Sequence, residues 1–195
     1  LKGVVHAAMV LDDTFIADLD EARFAKVLNP KMLGAWNLHV ATRDVPLDHF
    51  ICFSSFSNLV GATKQANYNA GNSFLDAMAH HRRASGLPAL TLNWGALLDA
   101  GFVARNHKTA EYLDGVGLKA FRISEALDVF AEMILRDTAV VGAGRVDWQR
   151  FSKISDAVAT LPMYECVRHD VRSTPSNSGL QSQLHSVSPN ERLDI

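Results

Sequence analysis

Short apolar runs alternate along this chain with longer stretches of helical periodicity. Gly3-Val4-Val5-His6-Ala7-Ala8, built of small and β-branched residues, reads as a buried strand of a parallel sheet. The polar loop Leu11-Asp12-Asp13 follows it. From about Asp20 to Ala41, apolar residues recur at helical spacing, at Phe24, Val27, Leu28, Leu33, Trp36 and Val40. Pro30 stands inside that pattern and is expected to kink or divide the helix. His49 to Ser54 reads as a second buried strand, and Ser55 to Gln65, rich in Ser, Asn, Gly and Thr, as a loop. Asn67 to Arg83 predicts a helix with Phe74, Leu75 and Met78 on its apolar side, ended by Gly86 with Pro88 beyond. Leu90 to Trp94 predicts a third strand. Ser124 is expected to cap a further helix whose buried stripe is Leu127, Phe130, Met133, Ile134 and Leu135. Ala139 to Gly142 predicts a last short strand.

Strands separated by helices of this length imply βαβ units. The expected fold class is therefore α/β, a Rossmann-like parallel sheet with flanking helices in three layers. Ser173 to Ser178 has linker composition, and Leu180, Leu184 and Val187 hint at a short amphipathic helix beyond it. A length of 195 residues with 48% hydrophobic content supports one sizeable core and excludes disorder across the whole chain. The net charge of -2 argues against a nucleic-acid partner. No apolar run is long enough to cross a bilayer, so no membrane association is expected and a cytoplasmic location is. Cys52 and Cys166 are the only cysteines, which excludes a disulfide framework and a CxxC metal site. His80-His81-Arg82-Arg83 reads as a solvated helix end, so no metal is expected.

The strongest constellation of chemical groups surrounds Tyr68. Asn72 follows it by four residues and shares its helix face. Ser55 lies at the end of the preceding strand, where α/β folds place functional groups. A phenol with an ordinary pKa of about 10 needs a cation and a hydrogen-bond partner nearby to give up its proton near neutral pH. Lys31 is a candidate for the cation, Ser55 for holding a carbonyl oxygen, and Asn72 for organising a water or the lysine. Each residue taken alone also has an ordinary reading: Tyr68 as packing, Ser55 as a turn residue, Lys31 as a solvated charge and Asn72 as a polar helix position.

The run from Phe53 to Gly61, followed by Gln65-Ala66-Asn67-Tyr68-Asn69-Ala70-Gly71-Asn72-Ser73-Phe74-Leu75-Asp76-Ala77, resembles the ketoreductase domain of modular or iterative polyketide synthases. That family lies within the short-chain dehydrogenase/reductase superfamily. The Ser55–Tyr68, Tyr68–Asn72 and Lys31–Ser55 spacings agree with it, as do flanking matches at residues 3–8, 30–35, 92–95 and 146–148. Most superfamily members carry lysine four residues after the tyrosine. Here Asn72 stands there and Lys31 comes from the earlier helix, an exchange characteristic of polyketide and animal fatty-acid synthase reductases.

The resemblance implies NADPH-dependent reduction of a β-ketoacyl thioester carried on an acyl carrier protein. It assigns proton donation to Tyr68, a hydrogen bond to the same oxygen to Ser55, ribose binding and a lowered tyrosine pKa to Lys31, and support to Asn72. Cofactor contacts are expected at His6, Ala7, Ala8, Lys31, Tyr68, Asn93, Trp94 and Gly95, with packing equally open for Trp94. Asp13, Asn67 and Phe102 are the expected substrate contacts, Phe102 on a lid spanning 100–117 where it is equally readable as a hydrophobic anchor. Leu11-Asp12-Asp13 and Asn67 match the B-type, which gives a 3R product, although Thr63 replaces the family's usual proline. Met9 stands where the family usually has glycine. The expected organisation is the C-terminal part of a ketoreductase catalytic domain at 1–152, a linker at 153–179, and the start of an acyl carrier protein at 180–195. Neighbouring domains of the same polypeptide are then partners. The chain contains no Gly-rich phosphate loop, so this piece alone is expected to bind NADPH weakly and to expose a sheet edge. The competing reading is a reductase-like module without activity that spaces its neighbours.

Overall fold

The computed structural model describes residues 1–155, 158 and 160–167. Strand β1 (Gly3–His6) leads through a 3-10 turn (Ile16–Asp18) into the long helix α1 (Glu21–Thr42). Strand β2 (His49–Ser55), the short α2 (Ser57–Val60), α3 (Ala66–Ala84) and β3 (Leu90–Trp94) follow. Then come α4 (Gly101–Ala104), α5 (His107–Gly115), β4 (Leu118–Lys119), α6 (Ile123–Met133), β5 (Val140–Ala143), β6 (Arg145–Val146) and α7 (Trp148–Phe151), with a second 3-10 segment at Pro162–Val167.

The main sheet runs β1-β2-β3-β5 with every pairing parallel. Strand β2 is apolar on both faces, and successive side chains of a strand point to opposite sides. Phe50 and Cys52 pack with Ala35 of α1 and with Leu75 and Met78 of α3. Ile51 packs on the other side with Leu92 and Met133, joined by Phe53 and Phe130. Helices therefore cover both faces, which is the expected three-layer α/β architecture. β1 stands at one edge, with Val5 57% exposed. β4 and β6 form a separate antiparallel ribbon.

Several local expectations are corrected. Pro30 does not divide α1, which runs unbroken from its Asp20 N-cap. Proline removes one intrahelical donor, but Val27, Lys31 and Ala35 on either side are held against the body of the protein. The buried face of α1 is Val27, Lys31, Ala35, His39 and Thr42, whereas Leu33, Trp36 and Val40 are each nearly half exposed. The helix was expected to bury its most apolar residues and instead buries a stripe that includes Lys, His and Thr. Ser124 lies inside α6, which starts a residue earlier, with the Arg122 N–H donating to Glu125. Met133 is buried as expected, but Leu127 and Leu135 are exposed. The loop after Ser55 contains α2.

Part of the segment expected as linker is packed: Val158 and Tyr164 are buried with Phe151, and the Tyr164 hydroxyl donates to the Leu59 carbonyl. The Ser173–Ser178 stretch and the expected carrier-protein start at 180–195 lie outside the described residues.

Candidate active site

The C-terminal ends of β1, β2 and β3 converge on one cavity of about 370 Å³. Ala7 and Met9 reach it from beyond β1, Ser55 from the end of β2, and Trp94 and Gly95 from the end of β3. Lys31 of α1 and Tyr68 of α3 line it from the helical layer, and Phe102 and Val103 close it from α4. α1 and α3 pack closely at Gly71, where a Cβ would lie 3.3 Å from Lys31 Cδ. A glycine at that crossing lets the lysine stem pass over α3 toward the cavity.

Lys31 is nearly fully buried and has no carboxylate partner among the described residues. Its Nζ donates to the Phe53 carbonyl at 3.0 Å and lies 5.1 Å from the centroid of the Tyr68 ring. Burial pushes its pKa down to about 8 from an ordinary 10.5. The Tyr68 pKa is raised, first by burial, while Asn72 and Ser55 beside the phenol pull it down. The expected lowering by Lys31 is not what offsets burial here. The ammonium is aimed at a backbone carbonyl and sits over the ring face rather than at the hydroxyl.

The Tyr68 hydroxyl donates to Met9 Sδ at 3.4 Å. Asn72 is fully buried on the turn above Tyr68, and neither polar atom of its amide makes a well-formed hydrogen bond among the described residues. It nevertheless stands close enough to act on the phenol.

Two residues given no role in the sequence hold Ser55, Ser57 directly and Asn69 through Ser57. The Ser57 N–H donates to Ser55 Oγ at 3.2 Å. The Ser57 hydroxyl reaches both Ser55 Oγ at 3.0 Å and Asn69 Oδ1 at 2.7 Å. An amide oxygen only accepts, so the Ser57 proton goes to Asn69, and the contact between the two hydroxyls is made by the Ser55 proton donating to Ser57 Oγ, from which a stronger acceptor can draw it. The Ser-x-Ser spacing and the asparagine after Tyr68 are the only signals of this in the sequence.

Other expected contacts are placed differently. His6 is buried, with Nε2 3.2 Å from the Lys31 carbonyl, so it braces α1 rather than lining the cavity. Ala8 is exposed and does not line it. Asn93 is fully buried in a polar network: its Oδ1 accepts from Ser54 at 2.8 Å and its Nδ2 donates to Asp76 at 3.2 Å. Asn67 is buried too, donating to the Asp12 carbonyl at 2.9 Å and accepting from the Tyr68 N–H at 2.8 Å. Asp13 is exposed and accepts from Gln65. Asp12 is clamped by Arg23 and Lys26, which hold its carboxyl below the usual range. The Leu11-Asp12-Asp13 loop is thus tied to both α1 and the start of α3.

Residues 1–99 match the KR domain family. The chain belongs to that family, the ketoreductase domains of polyketide synthases. It is 37% identical over 96% of its length to mycoketide-CoA synthase of Mycobacterium tuberculosis. It is 43% identical over 84% of its length to polyketide synthase GfsA of Streptomyces halstedii. The chain spans only 5% and 2% of those two relatives. An A-type ketoreductase structure from a modular polyketide synthase aligns with a TM-score of 0.83 at 30% identity, covering 89% of this chain and 36% of that one.

The cavity residues fit the nicotinamide end of a dinucleotide. Ala7 and Gly95 are small enough to admit a flat ring. Lys31 and Tyr68 supply donors, and Trp94 Nε1 is a buried donor unpartnered among the described residues.

Proposed function

We propose that this ketoreductase chain carries the proton-delivering site of an NADPH-dependent β-ketoacyl thioester reductase within a polyketide synthase. The observation that supports this most is that Lys31, Ser55 and Tyr68, drawn from three elements, line one cavity at the strand ends.

Ala7, Lys31, Trp94 and Gly95 would hold the nicotinamide end of NADPH, which would supply the hydride for the ketone carbon. The residues of this chain handle the oxygen. Tyr68 gives its proton to the carbonyl oxygen as negative charge develops there. Ser55, its Oγ fixed by the Ser57 N–H, donates a second hydrogen bond to the same oxygen. Lys31 supplies positive charge in a poorly solvated site, where its field is strong. Asn72 offers behind the phenol an amide without a well-formed hydrogen bond among the described residues, suited to holding a water that restores the Tyr68 proton. An ordinary phenol is already protonated near neutral pH, and burial favours that form further.

The substrate reading is a β-ketoacyl group on an acyl carrier protein of the same synthase. The Leu11-Asp12-Asp13 loop, tied to Asn67 and Gln65 beside the mouth, supports the B-type and a 3R hydroxyl. The test uses the complete ketoreductase domain with NADPH and a β-ketobutyryl pantetheine thioester, followed by chiral analysis of the product. NADPH oxidation with 3R product is expected. No oxidation counts against the reductase, and a 3S product counts against the B-type assignment alone.

A further inference from the structure

The Tyr68 hydroxyl, which must reach a ketone oxygen in the reaction, is already engaged by a side chain of the protein. Met9 Sδ accepts its proton at 3.4 Å, lines the same cavity, and belongs to a residue 40% exposed. It lies just beyond β1, outside any regular element. A thioether is a weak acceptor, and methionine is unbranched with three rotatable bonds. A carbonyl oxygen is the stronger acceptor, so a ketone entering the cavity wins the phenol proton and the thioether swings aside.

We propose that Met9 is a displaceable cap on Tyr68, a specificity-determining residue whose acceptor strength sets how readily a ketone captures the phenol. The proposal rests on the reading of Tyr68 as proton donor to a ketone. Without the thioether the phenol would keep only Ser55 and Asn72 beside it, at the wall of a largely apolar cavity. With a strong one it would be latched away from the substrate. The thioether lies between those extremes.

Two variants of similar length separate acceptor strength from bulk. Met9→Leu removes the acceptor, and Met9→Gln supplies a strong one. In the complete ketoreductase domain at saturating NADPH, KM for a β-ketobutyryl thioester rises roughly tenfold in Met9→Gln, as a full hydrogen bond must be broken before the ketone binds. It stays level or falls in Met9→Leu, and the change in both falls on KM rather than kcat. Equal KM values in the two variants, or a change confined to kcat, overturn the proposal. Should wild type reduce no ketone, the proton-donor reading fails, and the cap is still tested by tyrosine Cζ NMR without turnover. The Tyr68 resonance, identified by its loss in Tyr68→Phe, is expected to move in opposite directions in the two Met9 variants. A resonance that stays put in both overturns the contact itself.

Discussion

The buried ammonium of Lys31 makes a prediction about stability that is independent of catalysis. Its pKa is pushed down from 10.5 to about 8, chiefly by burial. At about 1.4 kcal/mol for each pH unit between those values, keeping the lysine charged in the fold costs about 3 kcal/mol. The native state releases this proton first, so between about pH 8 and pH 10.5 the unfolded chain binds more protons. Stability from this group therefore rises with pH through that window, and below it the full cost is present. Cys52, pushed up to about 12 by burial, acts in the opposite sense above the ordinary thiol value. The comparison is accordingly made against a variant. Lys31→Met keeps the stem, removes the charge, and leaves the Phe53 carbonyl without its donor, a loss of about 1 kcal/mol. Near pH 7 the variant is expected to be more stable than wild type by about 2 kcal/mol, with that advantage gone by about pH 10. Urea denaturation of the complete domain at the two pH values measures both differences. A gap that does not change with pH would refute the claim that the ammonium is held against desolvation. Catalysis is expected to be lost in the variant, so the lysine would be a residue kept for function at the expense of stability.

Two further predictions concern residues that support the site. Gly144 packs against the ring of Phe56, next to Ser55, and a Cβ there would lie 2.5 Å from Phe56 Cε2. Gly144→Ala should destabilise the domain by about 1–3 kcal/mol and lower turnover by displacing Ser55, measured by thermal melts alongside initial rates. Asp76 accepts from Asn58 Nδ2 at 2.6 Å and Asn93 Nδ2 at 3.2 Å, with burial raising its pKa. Asp76→Ala strands both amides and should cost about 2 kcal/mol in chemical denaturation, and an unchanged midpoint would mean that the network is not a stabilising one.

Strand β2 is legible in the sequence because a strand buried on both faces is a continuous apolar run, here Phe50 to Phe53 between polar residues, and β3 is legible because Leu90, Leu92 and Trp94 alternate with Thr91 and Asn93. The end of α3 is legible for a similar reason: Gly86, at φ 72, supplies a conformation that other residues adopt only with strain. The orientation of α1 is not legible. Its inward stripe carries Lys31, His39 and Thr42, because the site needs the lysine inside and His39 receives the buried Arg82 at 3.0 Å. A hydropathy pattern assigns such a stripe to solvent. The same limitation hides Asn67 and Asn93, polar residues that read as free to meet a ligand but are spent on internal hydrogen bonds. The candidates Lys31, Ser55, Tyr68 and Asn72 are singled out by residue types and spacing once the family resemblance is seen. The aim of the lysine at Phe53, the grip of Ser57 and Asn69 on Ser55, and the Met9 contact depend on side-chain directions that spacing does not encode.

Proton delivery by the Tyr68 phenol is tested most directly by the single-turnover rate of Tyr68→Phe in the complete domain with saturating NADPH and β-ketobutyryl thioester. The ring remains and only the hydroxyl goes, so packing and cofactor binding are expected to persist while the rate falls by about 10²–10⁴. A rate within a few-fold of wild type would mean that the proton comes from another group.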